Sequence, residues 1–203
     1  LLIGADAYGV TVSTIHGFAQ SVIDQNPVLF DEWSARQQLN DIEKVREMHT
    51  IIDQLLPQSE LLNPKDPYGK ISDLLSRISQ VKREGKDSAA LEKAAALYDE
   101  QMATKSKKGT KAHASNISAA RKYHDFIAIY DAYQQMLERT GRYDYDDMIL
   151  NVIKALEQEE WLISGLQERY QYFLVDEFQD VKLKFAARRV ENCTISRPII
   201  STS

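Results

Sequence analysis

The stretch Tyr170-Gln171-Tyr172-Phe173-Leu174-Val175-Asp176-Glu177-Phe178-Gln179-Asp180 decides how the chain reads. Its first part is rich in aromatic and β-branched side chains and predicts a short strand, buried on both faces, that runs directly into an acidic cluster. A carboxylate at the C-terminal tip of such a strand sits in the crevice where open α/β sheets bind ligands. Asp176 is therefore placed to hold a magnesium ion on a nucleotide phosphate. Glu177, one residue further out, is placed to orient and deprotonate the water that attacks a γ-phosphate. The bland alternative is a solvated turn after a strand, the commoner origin of paired acids.

Val175-Asp176-Glu177-Phe178-Gln179-Asp180 resembles the Walker B box of the UvrD/Rep family of superfamily-one DNA helicases, whose RecBCD and AddAB relatives carry similar boxes. Near the other end, Val12-Ser13-Thr14-Ile15-His16-Gly17-Phe18 resembles that family's Thr-Phe-His-Ser motif, a strand-to-helix turn that touches single-stranded DNA. Ile15 stands where many relatives have phenylalanine, as it does in relatives of the RecB kind. The family separates the two motifs by a helical insertion of similar size, so the resemblance covers Val10 to Asp180. It implies magnesium binding by Asp176, a general base in Glu177, and a softer role for Gln179 in coupling the nucleotide to neighbouring motifs. It also implies DNA contact by Thr14, His16 and Phe18. For His16 the residues alone leave a second reading open, a core histidine satisfied by backbone. The free N–H groups of the helix that starts there could equally receive a phosphate.

Composition limits the alternatives. A chain of 203 residues, 43% hydrophobic and 27% charged, is long enough for one medium domain or two small ones and is ordinary globular material. A net charge of -5 argues against a surface that coats nucleic acid all over, so any DNA contact must be local. Cys193 is the only cysteine, which excludes a disulfide framework and a thiolate zinc site and makes a cytoplasmic location the expectation. No apolar run reaches membrane-spanning length, and Leu1-Leu2-Ile3 is too short for a signal peptide. The start on apolar residues without a methionine suggests an internal piece of a longer protein.

Taken in order, Val10 to Ser13 alternates and predicts a short strand stopping at Thr14. A helix follows with Phe18 and Val22 on one face, ended at Asn26-Pro27. From Asp31 a longer helix is expected, carrying Trp33, Leu39, Ile42, Val45, Ile52 and Leu55 up to Pro57. A proline-rich loop to Pro67 precedes the cleanest stripe in the chain, Ile71, Leu74, Leu75, Ile78 and Val81, with Gly85 at the left-handed cap position. Asp87-Ser88 opens an alanine-rich helix. Thr104 to Ser118 reads as a mobile basic loop, whose lysines 105 to 111 serve either as a solvated connector or as a phosphate contact. A long helix is expected from Ile117 to Gly141, then another from Tyr143-Asp144-Tyr145-Asp146-Asp147, then a short one through Trp161 and Leu166.

Two features invite other readings. Gly4-Ala5-Asp6-Ala7-Tyr8-Gly9-Val10-Thr11 has the glycine spacing of a P-loop, but Val10 replaces the lysine that must reach the phosphates. The family's own P-loop lies upstream of the Thr-Phe-His-Ser motif. Asp144, Asp146 and Asp147 could serve a metal-dependent nuclease, yet an acid-rich helix start explains them as well. In the family a similar Asp-Phe-Asp-Asp-Leu string marks the return of the insertion to the core.

The expected fold is mostly α, a helical insertion subdomain flanked by fragments of a RecA-like parallel-sheet ATPase domain. Residues 1–30 form a core segment with the DNA-contacting motif, 31–143 the insertion, and 144–181 a core segment with the Walker B box. The family would place a Thr-Asn and a glutamine-bearing helix after that box, and this sequence does not. Residues 182–203 are accordingly expected to be a tail foreign to the native gene. The resemblance implies a piece of an ATP-dependent DNA helicase of DNA repair or recombination. ATP and Mg2+ are the parent's cofactors, and the piece binds neither and is inactive alone. Single-stranded and duplex DNA, and partner subunits of a helicase-nuclease, are the implied partners. A helical protein-interaction module with a vestigial acidic box, or a nuclease using Asp146 and Asp147, stays open.

Overall fold

The computed structural model describes residues 11–55, 57, 59–104, 110–170, 172–174 and 194–196. Eight helices dominate these residues: α1 (Ile15–Gln25), α2 (Asp31–Ser34), α3 (Asp41–Leu55), α4 (Ile71–Arg83), α5 (Ser88–Thr104), α6 (Lys111–Thr140), α7 (Tyr145–Gln158) and α8 (Glu160–Arg169). Two small parallel sheets accompany them. β1 (Gln37–Gln38) pairs with β2 (Arg142–Tyr143), and β3 (Tyr172–Leu174) pairs with β4 (Thr194–Ser196). None of the described helices is long and apolar enough to cross a membrane.

The apolar residues gather into two cores. In the first, Met48, Ile51 and Ile52 of α3, Ile71, Leu74 and Ile78 of α4, and Leu91 and Ala95 of α5 close on the long helix α6 through Phe126, Ile129, Tyr133 and Leu137. Burying each of these larger side chains contributes roughly 1.5–3 kcal/mol relative to leaving it in water. The second core joins Ala19, Val22 and Ile23 of α1 with Met148, Val152 and Ala155 of α7, Leu162 of α8, and Phe30. The start and the end of the described chain are thus held together by α1 against α7.

Three expectations are corrected. Residues 11–14 join no strand among the described residues, and Val12 is 91% exposed, because an alternating β-branched run forms a strand only where a neighbour supplies hydrogen bonds and burial. The single helix expected from Asp31 is two helices separated by β1. Gln37 N donates to Gly141 O (3.1 Å) and Leu39 N to Tyr143 O (2.8 Å), drawing this segment out of the helix. Asn40 then restarts it with a reciprocal cap. Its Oδ1 accepts from Glu43 N at 2.9 Å while its own N donates to Glu43 Oε2 at 3.0 Å. Consequently Ile42, expected on the core face, is exposed. Third, α6 begins at Lys111 and not near Ile117. Thr110 Oγ1 accepts from His113 N at 3.2 Å, and alanine-rich sequence carries the helix forward without needing an apolar stripe. Lysines 105 to 108 lie outside the described residues.

Other boundaries agree with the residues that set them. Gly85 and Gly141 take φ of 62° and 61°, the left-handed conformation in which both helices end and which a side chain would disfavour. The loop before α4 is tied to α6 by Asp125, whose Oδ2 accepts from Ser59 Oγ (3.0 Å), Glu60 N (2.7 Å) and Leu61 N (2.9 Å). The strand expected ahead of the acidic box is present as β3. β4 falls in the region where the sequence shows no sustained period.

Candidate functional site

Thr14, His16 and Phe18 all sit at the start of α1, but their side chains do three different things. Thr14 has extended backbone and caps the helix, its Oγ1 accepting from Gly17 N at 3.0 Å. His16 turns toward α7 and meets the ring of Tyr145 edge-on, with centroids 5.0 Å apart and planes at 84°. Phe18 lies two positions on, where an α-helix points away from His16. It packs on the second core and meets Tyr170 at 5.8 Å. The turn therefore brings Thr14 and His16 to the same end of the helix and sends Phe18 into packing.

The His16 Nε2 atom is buried and has no hydrogen-bond partner. Burial lowers the pKa of this imidazole; the Asp146 carboxylate pulls the other way, and Arg83 adds to the lowering. His16 is thus held neutral near physiological pH, with a ring nitrogen available to donate or accept according to tautomer.

Around it, α4 and α7 are clamped by charge. Lys82, 0% exposed, places Nζ 2.7 Å from both Asp144 Oδ2 and Asp147 Oδ1. Tyr133 of α6 donates to Asp144 Oδ2 at 3.3 Å. Asp144 and Asp147 also cap α7 reciprocally, Asp147 N donating to Asp144 Oδ1 at 3.0 Å and Asp144 N to Asp147 Oδ2 at 3.1 Å. Asp146 points the other way, accepting from Ser79 Oγ and from Arg83 Nε, the latter at 3.0 Å. Burial and the neighbouring Asp144 charge push the Asp147 carboxyl up to about 6, against the pull of Lys82. Asp144 moves down: burial opposes the shift, but Lys82 and the cap hydrogen bonds prevail. Burial, reinforced by these carboxylates, also raises the Tyr133 phenol.

All three acids that could have formed a nuclease centre are therefore committed to cations and hydroxyls of α4 and α6. Among the described residues no group of three or more His, Cys, Asp or Glu side chains is arranged to hold a metal ion. Asp176, Glu177 and Gln179 lie outside the described residues. So, with them, do the groups by which magnesium and nucleotide would be held.

Lys82 is the residue that the sequence reading missed. The signal was available, since Lys82 follows Ile78 by four and so continues the apolar stripe of α4. A lysine on a buried face calls for a carboxylate partner, and the only dense acidic cluster between the two motifs was Asp144 to Asp147.

Beside the clamp a cleft of about 640 Å³ opens between α1, α3, α4 and the start of α7. His16, Lys44, Tyr68, Ser79, Arg83 and Tyr145 are among the side chains that line it.

Comparison with known proteins accords with this arrangement. The model of the UvrD/REP helicase N-terminal domain matches residues 2–186. The ATP-dependent DNA helicase PcrA of Staphylococcus aureus is 24% identical over 188 residues, covering 88% of this chain and 20% of that protein. DNA helicase II of Haemophilus influenzae is 35% identical over 60 residues, 30% of this chain and 8% of that protein. A probable DNA helicase II homolog of Mycoplasma capricolum is 35% identical over 63 residues, 30% of this chain and 9% of that protein. The chain thus spans a fifth or less of the length of these relatives. No solved structure gives a significant match. Since the matching model runs across both motif regions and everything between them, the chain belongs to the UvrD/REP helicase N-terminal domain family.

Proposed function

We propose that these 203 residues are the part of an ATP-dependent DNA helicase that joins a single-strand contact to the ATP-hydrolysing box through a helical insertion. The observation that carries this reading is the packing of α1, which bears Thr14 and His16, directly against α7. Through α8, α7 leads into β3 and the Asp176-Glu177 box. A turn that senses DNA and a strand that serves ATP thereby share one small core. The parent translocates on single-stranded DNA and opens duplex DNA in repair or recombination, in the cytoplasm. Partner subunits of a helicase-nuclease are a further expectation.

In that parent, Asp176 holds magnesium, Glu177 acts as general base, and Gln179 couples the nucleotide to neighbouring motifs; Thr14, His16 and Phe18 form the DNA-side turn. Residues 31–143 are the insertion, residues 1–30 and 144–181 belong to a RecA-like core, and residues 182–203 are a tail foreign to the gene. Magnesium and ATP together supply an activated γ-phosphate. What this chain adds is the acidic pair and its mechanical link to the DNA side.

No Gly-Lys-Thr or Gly-Lys-Ser occurs in the 203 residues, so the lysine that would reach the phosphates is not supplied by them. The isolated chain is accordingly expected to turn over no ATP. DNA-stimulated ATP hydrolysis should appear in the full-length gene product and vanish with Glu177→Gln. A full-length product without such activity would overturn the helicase reading, while turnover by the 203 residues alone would overturn the expected inactivity.

A further inference from the structure

From the cleft beside His16 we infer a nucleobase-binding site: it accepts one unstacked base of a single DNA strand, with the strand's backbone passing over Lys44 and Arg83. This rests on the proposed single-strand contact at Thr14 and His16, and extends it into a place that neither motif contains.

Size comes first. A cleft of about 640 Å³ lies in the range of pockets that take small organic ligands. Its walls are aromatic. The Tyr145 ring is half-exposed at 49% and is held upright by the edge of His16 on one side, with Lys44 Nζ 5.8 Å from its centroid on the other. Across the cleft the Tyr68 ring is fixed twice, by a 2.6 Å hydrogen bond from its hydroxyl to Asp53 Oδ1 and by the His49 ring 4.1 Å away. Rings that are already oriented lose little freedom when a base stacks on them.

The polar groups suit the edge of a base better than a bare anion or a metal. On the floor stand the Ser79 hydroxyl and the Asp146 carboxylate, acceptors for ring or exocyclic N–H groups, with the unpartnered Nε2 of neutral His16 beside them. An inorganic anion would meet the Asp146 charge there. A metal ion would meet Arg83, whose Nε is 3.0 Å from Asp146. At the rim the cations are reversed in role: Arg83 is anchored through Nε yet its side chain is 64% exposed, and Lys44 is paired only with Asp41, itself 95% exposed. Both can add a phosphate without losing a buried partner. Acidic floor, aromatic wall and basic rim follow the order base edge, base face and phosphate of a nucleotide entering from outside.

The test uses the whole 203-residue chain with a fluorescein-labelled dT12 and a dT12 of equal length carrying one central abasic residue. Wild type should bind dT12 several-fold more tightly than the abasic strand. Tyr145→Ala, a change at a half-exposed position, should weaken dT12 binding about tenfold and erase that preference. A dT12 with one 2-aminopurine, added to wild type alone, should lose emission on binding as the analogue stacks. If dT12 binds but Tyr145→Ala and wild type behave alike, with no quenching, the cleft assignment is overturned while the single-strand reading stands. If neither strand binds, both fall together.

Discussion

Lys82 and Asp144 stand 62 residues apart in the chain, yet meet with Nζ 2.7 Å from a carboxylate oxygen, and no part of the lysine reaches solvent. Asp147 completes the group at the same distance on the lysine's other side. Removing the lysine would leave two carboxylates without their cation in a desolvated site. Breaking a buried pair in this way costs about 3–5 kcal/mol, whereas replacing all partners with apolar groups can be nearly neutral. Lys82→Met should therefore lower the urea-unfolding free energy by about 3 kcal/mol or more. Adding Asp144→Leu and Asp147→Leu should recover part of that loss, less the cost of the lost helix cap. A loss below about 1 kcal/mol for Lys82→Met would show that the pair is not desolvated as described.

The raised carboxyl of Asp147 gives stability a particular pH dependence. Its folded value of about 6 lies above the ordinary value near 3.8, so the native state binds a proton more readily than the unfolded chain. Stability contributed by this group is therefore fully present below the ordinary value and declines as pH rises through 4 to 6. Over that window the decline is on the order of 2 kcal/mol. Asp144 acts oppositely, its lowered pKa adding stability that is lost only as the solution becomes strongly acidic. In Asp147→Asn the decline between pH 4 and 6 should disappear. Denaturation midpoints of both proteins at intervals across that window check it, and parallel curves would refute the assignment.

These residues also show what was legible in sequence. The α4 stripe, the caps at Gly85 and Gly141 and the acid-rich start of α7 are local signals, set by helical spacing and by backbone conformations that only certain residues adopt easily, and they appear where expected. The Lys82 clamp is not local, because a helix stripe shows that a lysine is buried without showing which carboxylates receive it. The break before α3 was hidden for a similar reason. Its causes are hydrogen bonds to Gly141 and Tyr143, a hundred residues away, and only the Asn40–Glu43 cap could have been read nearby. The start of α6 was hidden because an exposed helix built from alanine, lysine and serine has no apolar period to detect. Of the residues singled out for function, the structure positions Thr14, His16 and Phe18, while the acidic box lies outside the described residues.

Thr14 has a structural duty that a DNA-binding experiment must separate from contact with a strand. Its hydroxyl caps α1 through Gly17 N, and loss of such a cap costs about 1 kcal/mol. Thr14→Ala should lower stability by about that amount, while Thr14→Ser should keep it. DNA affinity that falls in Thr14→Ala and returns in Thr14→Ser would therefore report the geometry of the turn. Affinity lost equally in both would report the threonine methyl. Fluorescence anisotropy with dT12, beside a thermal melt of each variant, distinguishes the two.

Asp125 tests how firmly the loop before α4 is fastened to α6. One of its carboxylate oxygens gathers the Ser59 hydroxyl and the Glu60 and Leu61 amides, which makes it the hub for three donors from a segment about 65 residues earlier. Hydrogen bonds to a charged acceptor contribute about 1.5–3 kcal/mol when sheltered, and less here because Glu60 is exposed. Asp125→Ala should destabilise the chain by about 1–2 kcal/mol and accelerate hydrogen exchange at the amides of residues 60 and 61. Amides inside α7, which is built on the other core, should keep their protection in native-state exchange. If exchange at 60 and 61 is unchanged while the whole chain weakens, Asp125 serves α6 itself, and the loop is held by the Leu62 contact with the core instead.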